Sequence, residues 1–174
     1  MIATAEKDEV HLFDWTSGQQ VMRTLPAAGA AVLAFSHDGT SLATGGPDDV
    51  KIFATATGAR LTILNLRGAV AVTFTHDGRH VAAGGADLAA RIYEVSTGRE
   101  VSRFEHGTEV TALAFNRDDT QLATLAGSTI IRREWRSADM VLQACSRLTR
   151  NLTPSEWAQY LGQEPYRKTC AAIE

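Results

Sequence analysis

A segment of the sequence recurs at a spacing of about 40 residues, the length of a four-strand repeat. Residues 35–46 read Phe-Ser-His-Asp-Gly-Thr-Ser-Leu-Ala-Thr-Gly-Gly, and residues 74–85 read Phe-Thr-His-Asp-Gly-Arg-His-Val-Ala-Ala-Gly-Gly. A diverged third copy at residues 115–124 reads Phe-Asn-Arg-Asp-Asp-Thr-Gln-Leu-Ala-Thr. A repeat of this kind cannot bury its apolar face alone and must pack against its neighbours. The repeat therefore predicts the architecture of most of the chain.

Each repeat encodes several short strands. In residues 30–66 the turn at 37–40, His-Asp-Gly-Thr, has glycine where a positive φ is needed. Apolar, small or alternating residues occupy the segments between turns, a pattern typical of strands. Four strands are predicted in this repeat: 32–35, 41–46, 50–53 and 60–64.

Three segments carry a family resemblance: residues 34–39 (Ala-Phe-Ser-His-Asp-Gly), 42–46 (Leu-Ala-Thr-Gly-Gly) and 91–98 (Arg-Ile-Tyr-Glu-Val-Ser-Thr-Gly). They resemble the WD40 family of β-propeller repeats. The Trp-Asp pair of that family is replaced at its four places by Phe13-Asp14, Phe53-Ala54, Tyr93-Glu94 and Arg133-Glu134. The family's Gly-His pair is missing. The resemblance therefore implies propeller blades whose buried His–Asp network is absent or partial.

The resemblance implies an all-β fold, a partial WD40-type propeller over residues 1–135, followed by a two-helix C-terminal tail over 136–174. About 3.5 blades of four-stranded antiparallel sheets are expected, whereas closed propellers have about four to eight. The predicted blades are an incomplete one at 1–27, complete ones at 28–66 and 67–105, and a three-strand last blade at 106–135. The incomplete blade lacks its first strand and has its fourth over 20–25, so fourteen strands are predicted in all. The sequence therefore reads as the C-terminal half of a larger propeller or as one part of an oligomer.

The first strand of each repeat is expected to be largely buried between blades. This prediction covers the apolar residues Val32, Leu33, Phe35, Val70, Val72, Phe74, Leu113 and Phe115.

Composition and charge narrow the class of partner. The chain has 174 residues, 44% of them hydrophobic, and a net charge of −3. A weakly acidic protein is not expected to bind nucleic acid chiefly through its charge. No apolar run approaches the roughly 20 residues that span a membrane, and no secretory leader opens the sequence. We therefore expect a cytoplasmic protein without membrane or nucleic-acid partners.

The periodicity changes after Trp135. Residues 137–150 have a helical apolar face, and Ser137 is expected to cap this first helix. That face is expected to dock on the propeller or on the second helix, since an isolated helix of this length is marginal in water. The face consists of Met140, Val141, Ala144, Cys145 and Leu148.

A second helix is predicted to begin after Thr153, its N-cap. Pro154 occupies the first helical position, and Glu156 completes a capping box with Thr153. Gly162 is expected to end the helix. Trp157 is its largest apolar side chain and is expected to be substantially buried.

The tail carries a second resemblance. Residues 145–153 and 156–170 look like a tail at the end of large bacterial WD40 proteins. In such proteins the propeller follows an effector module: a STAND-type NTPase, a Ser/Thr kinase, a TIR domain or a caspase-like protease. The resemblance implies a sensor or scaffold role and transfers none of those activities, because their motifs lie outside this sequence.

The candidate metal ligands are His37-Asp38 and His76-Asp77, which occupy equivalent turns. They could face one ion, but Asp-Gly is also a common turn dipeptide, with His as a tolerated exposed neighbour. No Cys-x-x-Cys pair reinforces a metal site. The turn interpretation is favoured, and no metal-binding residue is predicted.

Catalytic and cofactor-binding residues are likewise not predicted. Ser36, His37 and Asp38 are consecutive and cannot converge as a catalytic triad. The glycine pairs at 45–46 and 84–85 lack the Gly-Lys-Ser/Thr of a phosphate loop.

Two features of the final third of the chain remain open at the level of sequence. Its basic residues either form a solvated face that complements helix ends or dock an acidic surface. Cys145 and Cys170, the two cysteines, are either reduced thiols or a disulfide. The basic residues are Arg132, Arg133, Arg136, Arg147, Arg150, Arg167 and Lys168.

The predicted function is a non-catalytic protein–protein interaction scaffold or sensor. Its partner is a protein or the missing half of the propeller, and homo-oligomers through exposed blade edges are possible. The alternatives are an enzymatic propeller with its site in the channel loops, or a gene fragment without an independent role. The short turns favour the scaffold, because channel-loop catalysis needs inserted loops.

Overall fold

The computed structural model describes residues 1–21 and 24–171. It divides into two compact units, Met1–Arg133 and Glu134–Glu174. The first contains fourteen strands in four antiparallel sheets, except that Glu134, the last residue of the last strand, belongs to the second unit. The second unit contains two helices.

Each sheet is formed by consecutive strands, as expected for short runs joined by tight turns. The strands are β1 (Ile2–Glu6), β2 (Glu9–Phe13), β3 (Leu25–Pro26), β4 (Val32–Phe35), β5 (Ser41–Gly45), β6 (Val50–Ala54), β7 (Arg60–Leu64), β8 (Ala69–Phe74), β9 (His80–Gly85), β10 (Ala89–Glu94), β11 (Glu100–Glu105), β12 (Val110–Phe115), β13 (Gln121–Ala126) and β14 (Thr129–Glu134). The orders in the sheets are β1-β2-β3, β4-β5-β6-β7, β11-β10-β9-β8 and β12-β13-β14. The first and last sheets have three strands and the middle two have four.

The all-β character, the antiparallel sheets and the strand number agree with the sequence prediction. One strand differs. The fourth strand of the first repeat was expected over 20–25, but the structure has β3 at Leu25–Pro26 and an isolated bridge between Phe13 and Gln20. Residues 22 and 23 of that prediction lie outside the described part of the chain.

The first strands of successive sheets lie against one another: β1 contacts β4, β4 contacts β8, and β8 contacts β12. The apolar core lies between sheets. One cluster joins β5–β7 to the next sheet through Ile52, Leu64, Val81 and Tyr93. Burial of the phenol raises the pKa of Tyr93 to about 12.

The predicted burial of the first strands is confirmed only in part. Phe74 is buried, but Val70 is 42% exposed and the other six residues of that prediction are only partly buried. The reason is position, since each first strand is the edge of its own sheet. Most of the fully buried positions fall on the second and third strands of the repeat, with Leu42, Ile52 and Ile92 as examples.

In the second unit, helix α1 spans Ser137–Arg147 and helix α2 spans Pro154–Leu161. The α1 prediction needs two corrections. Its N-cap is Arg136, without a side-chain cap, and Ser137 is the first helical residue. It also ends at Arg147 and not at residue 150, because Leu148 is extended.

The apolar face of α1 is not buried as expected. Every residue of α1, all of which the structure describes, is at least partly exposed. Met140 is 39% exposed and Val141 44%.

The α2 prediction is confirmed in detail. Thr153 and Glu156 form the capping box, Pro154 begins the helix, and Gly162 follows its last residue with a φ of 66°. Trp157 is buried, with 4% of its surface exposed.

Candidate functional site

The turns between the first and second strands of each repeat bring the candidate histidines together. In the first such turn the hydroxyl of Ser36 donates to Oδ1 of Asp38 at 2.7 Å, and the main-chain N–H of Thr40 donates to the same oxygen at 3.0 Å. These bonds lower the pKa of Asp38, because they stabilise the carboxylate. Gly39, with a φ of 71°, closes the turn.

The second turn repeats this arrangement. Thr75 Oγ1 donates to Oδ1 of Asp77 at 2.7 Å, and the main-chain N–H of Arg79 donates to the same oxygen at 3.0 Å. Burial opposes the charge of Asp77, but these hydrogen bonds outweigh it and lower the pKa of the carboxyl. Asp38 and Asp77 are therefore occupied in shaping their own turns.

The third turn departs from the pattern at Asp119, which stands where the other turns have glycine. Asp119 adopts a φ of 54° and is 6% exposed. Its carboxylate reaches the preceding repeat: the main-chain N–H of His76 donates to Oδ2 at 2.8 Å, and Nδ1 of His76 lies 2.8 Å from Oδ1. The sequence analysis missed this residue. The visible signal was a carboxylate in place of the turn glycine.

His37 and His76 are neighbours across two sheets. Their ring centroids are 5.4 Å apart, and both rings line a cavity of about 280 Å³. The cavity lies at the turn ends of β4, β8 and β12, and Phe35, Phe74 and Phe115 form part of its wall. The two histidines thus converge, whereas the aspartates that follow them do not join the site.

The other residues weighed as site candidates, Ser36 and the strand-end glycines, have structural roles. Ser36 donates to Asp38 and accepts from the N–H of Ser41 at 2.9 Å, which places its hydroxyl inside the turn. Gly45 allows two sheets to approach, since a Cβ there would lie 2.7 Å from Val32 and 2.9 Å from Ala69. Within residues 1–21 and 24–171, no three His, Cys, Asp or Glu side chains are placed to hold one ion.

A second polar site lies at the opposite ends of the strands, beside the turns that follow β5, β7 and β9. It is a cavity of about 460 Å³ lined by Asp48, Asn65, Arg67, Asp87 and Arg91. Arg91 donates to Asp87 through Nε at 3.0 Å and through Nη2 at 2.6 Å. Burial disfavours its charge, but these bonds outweigh that effect and raise the pKa of the guanidinium.

The third strand of the repeat is exposed in the last sheet, whereas in the middle sheets it is covered. β10 lies between β9 and β11 and is buried along most of its length. β14, also a third strand, is the edge of its sheet and is exposed or only partly buried throughout. Ile130 on β14 is 73% exposed, whereas Ile92 on β10 is fully buried.

The helical unit contains a disulfide between Cys145 and Cys170, which settles the question that the sequence left open. Asn151 supports it, since its amide donates to the carbonyl of Cys170 at 3.0 Å and its Oδ1 accepts from the N–H of Cys170 at 2.9 Å. A cavity of about 490 Å³ lies beside this contact, lined by residues 148–152, 169 and 170.

Several of the basic residues have identified contacts inside one unit. Arg133 lies over the ring of Phe104, with its guanidinium carbon 5.6 Å from the centroid. Arg150 forms two hydrogen bonds with Glu156, at 2.7 and 2.8 Å. These contacts favour a structural role for both arginines.

No protein-family model matches the chain, and no curated protein is similar to it. In the described part of the chain, neither helix is long and apolar enough to cross a membrane.

Proposed function

We propose that residues 1–135 are part of a WD40-type β-propeller that acts as a non-catalytic scaffold for protein partners in a larger bacterial signalling protein. Two observations support this architecture. The repeat of about 40 residues coincides with sheets built from consecutive strands. The sheets also pack through their first strands with apolar clusters between them, as expected where each repeat is covered by the next.

The exposure of β14 carries the functional part of the proposal. Among the described residues, β10 has a neighbouring strand on each side, whereas β14 has one on a single side. An edge strand presents backbone N–H and C=O groups along its open side, so β14, with the exposed Ile130, forms a surface that can pair with another strand. A further propeller segment, a second copy or another protein would cover it.

Sedimentation velocity of the isolated chain tests the proposal. The wild-type chain is expected to self-associate in a concentration-dependent manner. Replacing Ile130 with Lys places a charge on the open edge and is expected to shift the chain toward monomer. The matched control is Trp15→Lys, because Trp15 is 74% exposed but lies in the turn after β2. It should leave the association unchanged.

A wild-type monomer that remains stable and unfolds cooperatively over the whole concentration range would contradict the proposal. So would equal effects of Ile130→Lys and Trp15→Lys, since the edge strand would then have no special role.

A further inference from the structure

His37 and His76 occupy the same position in consecutive repeats. Because β4 and β8 lie against each other, the turns that follow these strands place the two imidazoles side by side, with 5.4 Å between ring centroids. Neither ring belongs to the buried core, and both border the cavity of about 280 Å³. Two exposed imidazoles at this distance form a natural pair of metal ligands.

Asp119 orients one of the two rings. Its carboxylate lies 2.8 Å from Nδ1 of His76 and accepts a hydrogen bond from the main-chain N–H of the same residue. Because a carboxylate accepts and cannot donate, Nδ1 donates to Asp119, and in the neutral ring Nε2 is the nitrogen left to bind an ion. A carboxylate that accepts from one ring nitrogen fixes the orientation of the ring, and it is the usual second partner of a metal-bound histidine.

The separation of the rings suits one ion. With Zn–N bonds of about 2.0–2.1 Å and a tetrahedral angle, the centroids of two bound imidazoles lie about 5 Å apart. Asp38 and Asp77 do not line the cavity, so the two imidazoles would be the protein ligands, and solvent would complete the coordination. Thiols do not compete, since both cysteines are joined in the disulfide.

We propose that His37 and His76 bind one divalent transition-metal ion, Zn²⁺ or Cu²⁺, with Asp119 as the residue that positions His76. Imidazole is a preferred ligand for both ions. The bound ion would connect the second and third sheets at their turn ends. This site is independent of the open edge at β14 and of the scaffold function.

Titration calorimetry with Zn²⁺ tests the site, and Cu²⁺ electron paramagnetic resonance counts the bound nitrogens. The wild-type chain should bind one ion per chain, with two imidazole nitrogens on Cu²⁺. His37→Gln should weaken binding at least tenfold, and His76→Gln should do the same. Asp119→Asn should weaken it by about 10- to 100-fold while both imidazoles remain. His11→Gln, on β2, is the control and should leave the affinity unchanged.

His37 is exposed, so His37→Gln tests the site without disturbing the core. A wild-type affinity within twofold of that of His37→Gln would overturn the proposal. A single nitrogen on Cu²⁺ would do so as well, as would one ion shared between two chains.

Discussion

The sheet-containing unit, Met1–Arg133, and the helical unit, Glu134–Glu174, hold their structures by different means. The sheets bury many apolar residues between repeated elements, so stability is distributed over neighbouring repeats. The helical unit has short helices and relies on separate constraints: a disulfide, a capping box and one buried Trp on α2. The comparison teaches that a change in one unit need not weaken the other.

The largest expected effect is in the helical unit. Trp157 is buried, its Nε1–H donates to the carbonyl of Glu164 at 2.9 Å, and its ring meets Tyr166 edge-on at 5.7 Å. Trp157→Ala should cost about 3–5 kcal/mol. Amide exchange should show protection lost in the helical unit and retained in the sheets.

The matched control is Tyr160→Ala, because Tyr160 lies on the same helix and is 69% exposed. It should change stability by less than about 0.5 kcal/mol. If Trp157→Ala left exchange in the helical unit unchanged, the buried Trp would not hold that unit together.

The next effect concerns the disulfide. Cys145 and Cys170 are separated by 25 residues, and a bridge over such a loop contributes about 3–4 kcal/mol on the chain-entropy model. The double replacement Cys145→Ser/Cys170→Ser should increase amide exchange in α1 and in residues 163–170. Reduction of the wild-type chain should reproduce the result. Equal exchange in the oxidised and reduced chains would show that Asn151 and the capping box suffice.

A smaller effect compares two isoleucines on third strands of neighbouring sheets. Ile92 on β10 is fully buried and Ile130 on β14 is 73% exposed. Ile92→Val should lower the free energy of unfolding by about 0.5–1.5 kcal/mol. Ile130→Val should change it by less than about 0.5 kcal/mol. Chemical denaturation at a concentration where the chain is monomeric measures both. Similar costs at the two positions would mean that β14 is covered within the monomer.

The local features of the fold could be predicted from the sequence because local residues determine them. The strands of the middle repeats follow the apolar runs closely, with β7 at Arg60–Leu64 as predicted. The α2 capping box also depends on neighbouring residues alone, here Thr153 and Glu156. The burial of Val70 could not be judged in this way, since it depends on which strand lies at the edge of a sheet.

The candidate site was only partly predictable for the same reason. The repeat placed His37 and His76 at equivalent turns, and the structure brings their rings together. The contact of Asp119 with His76 spans 43 residues and depends on how two sheets pack. The apolar face of α1 predicted burial by its periodicity, but periodicity alone does not say what covers a face.

The smallest expected effect is the response of the α2 capping box to acid. The hydrogen-bonded Arg150 and the N–H and hydroxyl of Thr153 lower the pKa of Glu156 from 4.5 to about 2. A carboxyl whose pKa falls on folding stabilises the folded state fully above its unfolded pKa, and this contribution is lost as the pH falls through its folded pKa. The α2 capping box should therefore weaken between about pH 4.5 and pH 2. Because Glu156 lies at the surface, the effect is expected to be local and reduced by salt.

Carbon-detected NMR titration of the Glu156 carboxyl should give a midpoint near 2, and Glu156→Gln should abolish this part of the pH dependence of α2. A midpoint near the ordinary glutamate value would show that the pair with Arg150 and the capping box do not persist in solution.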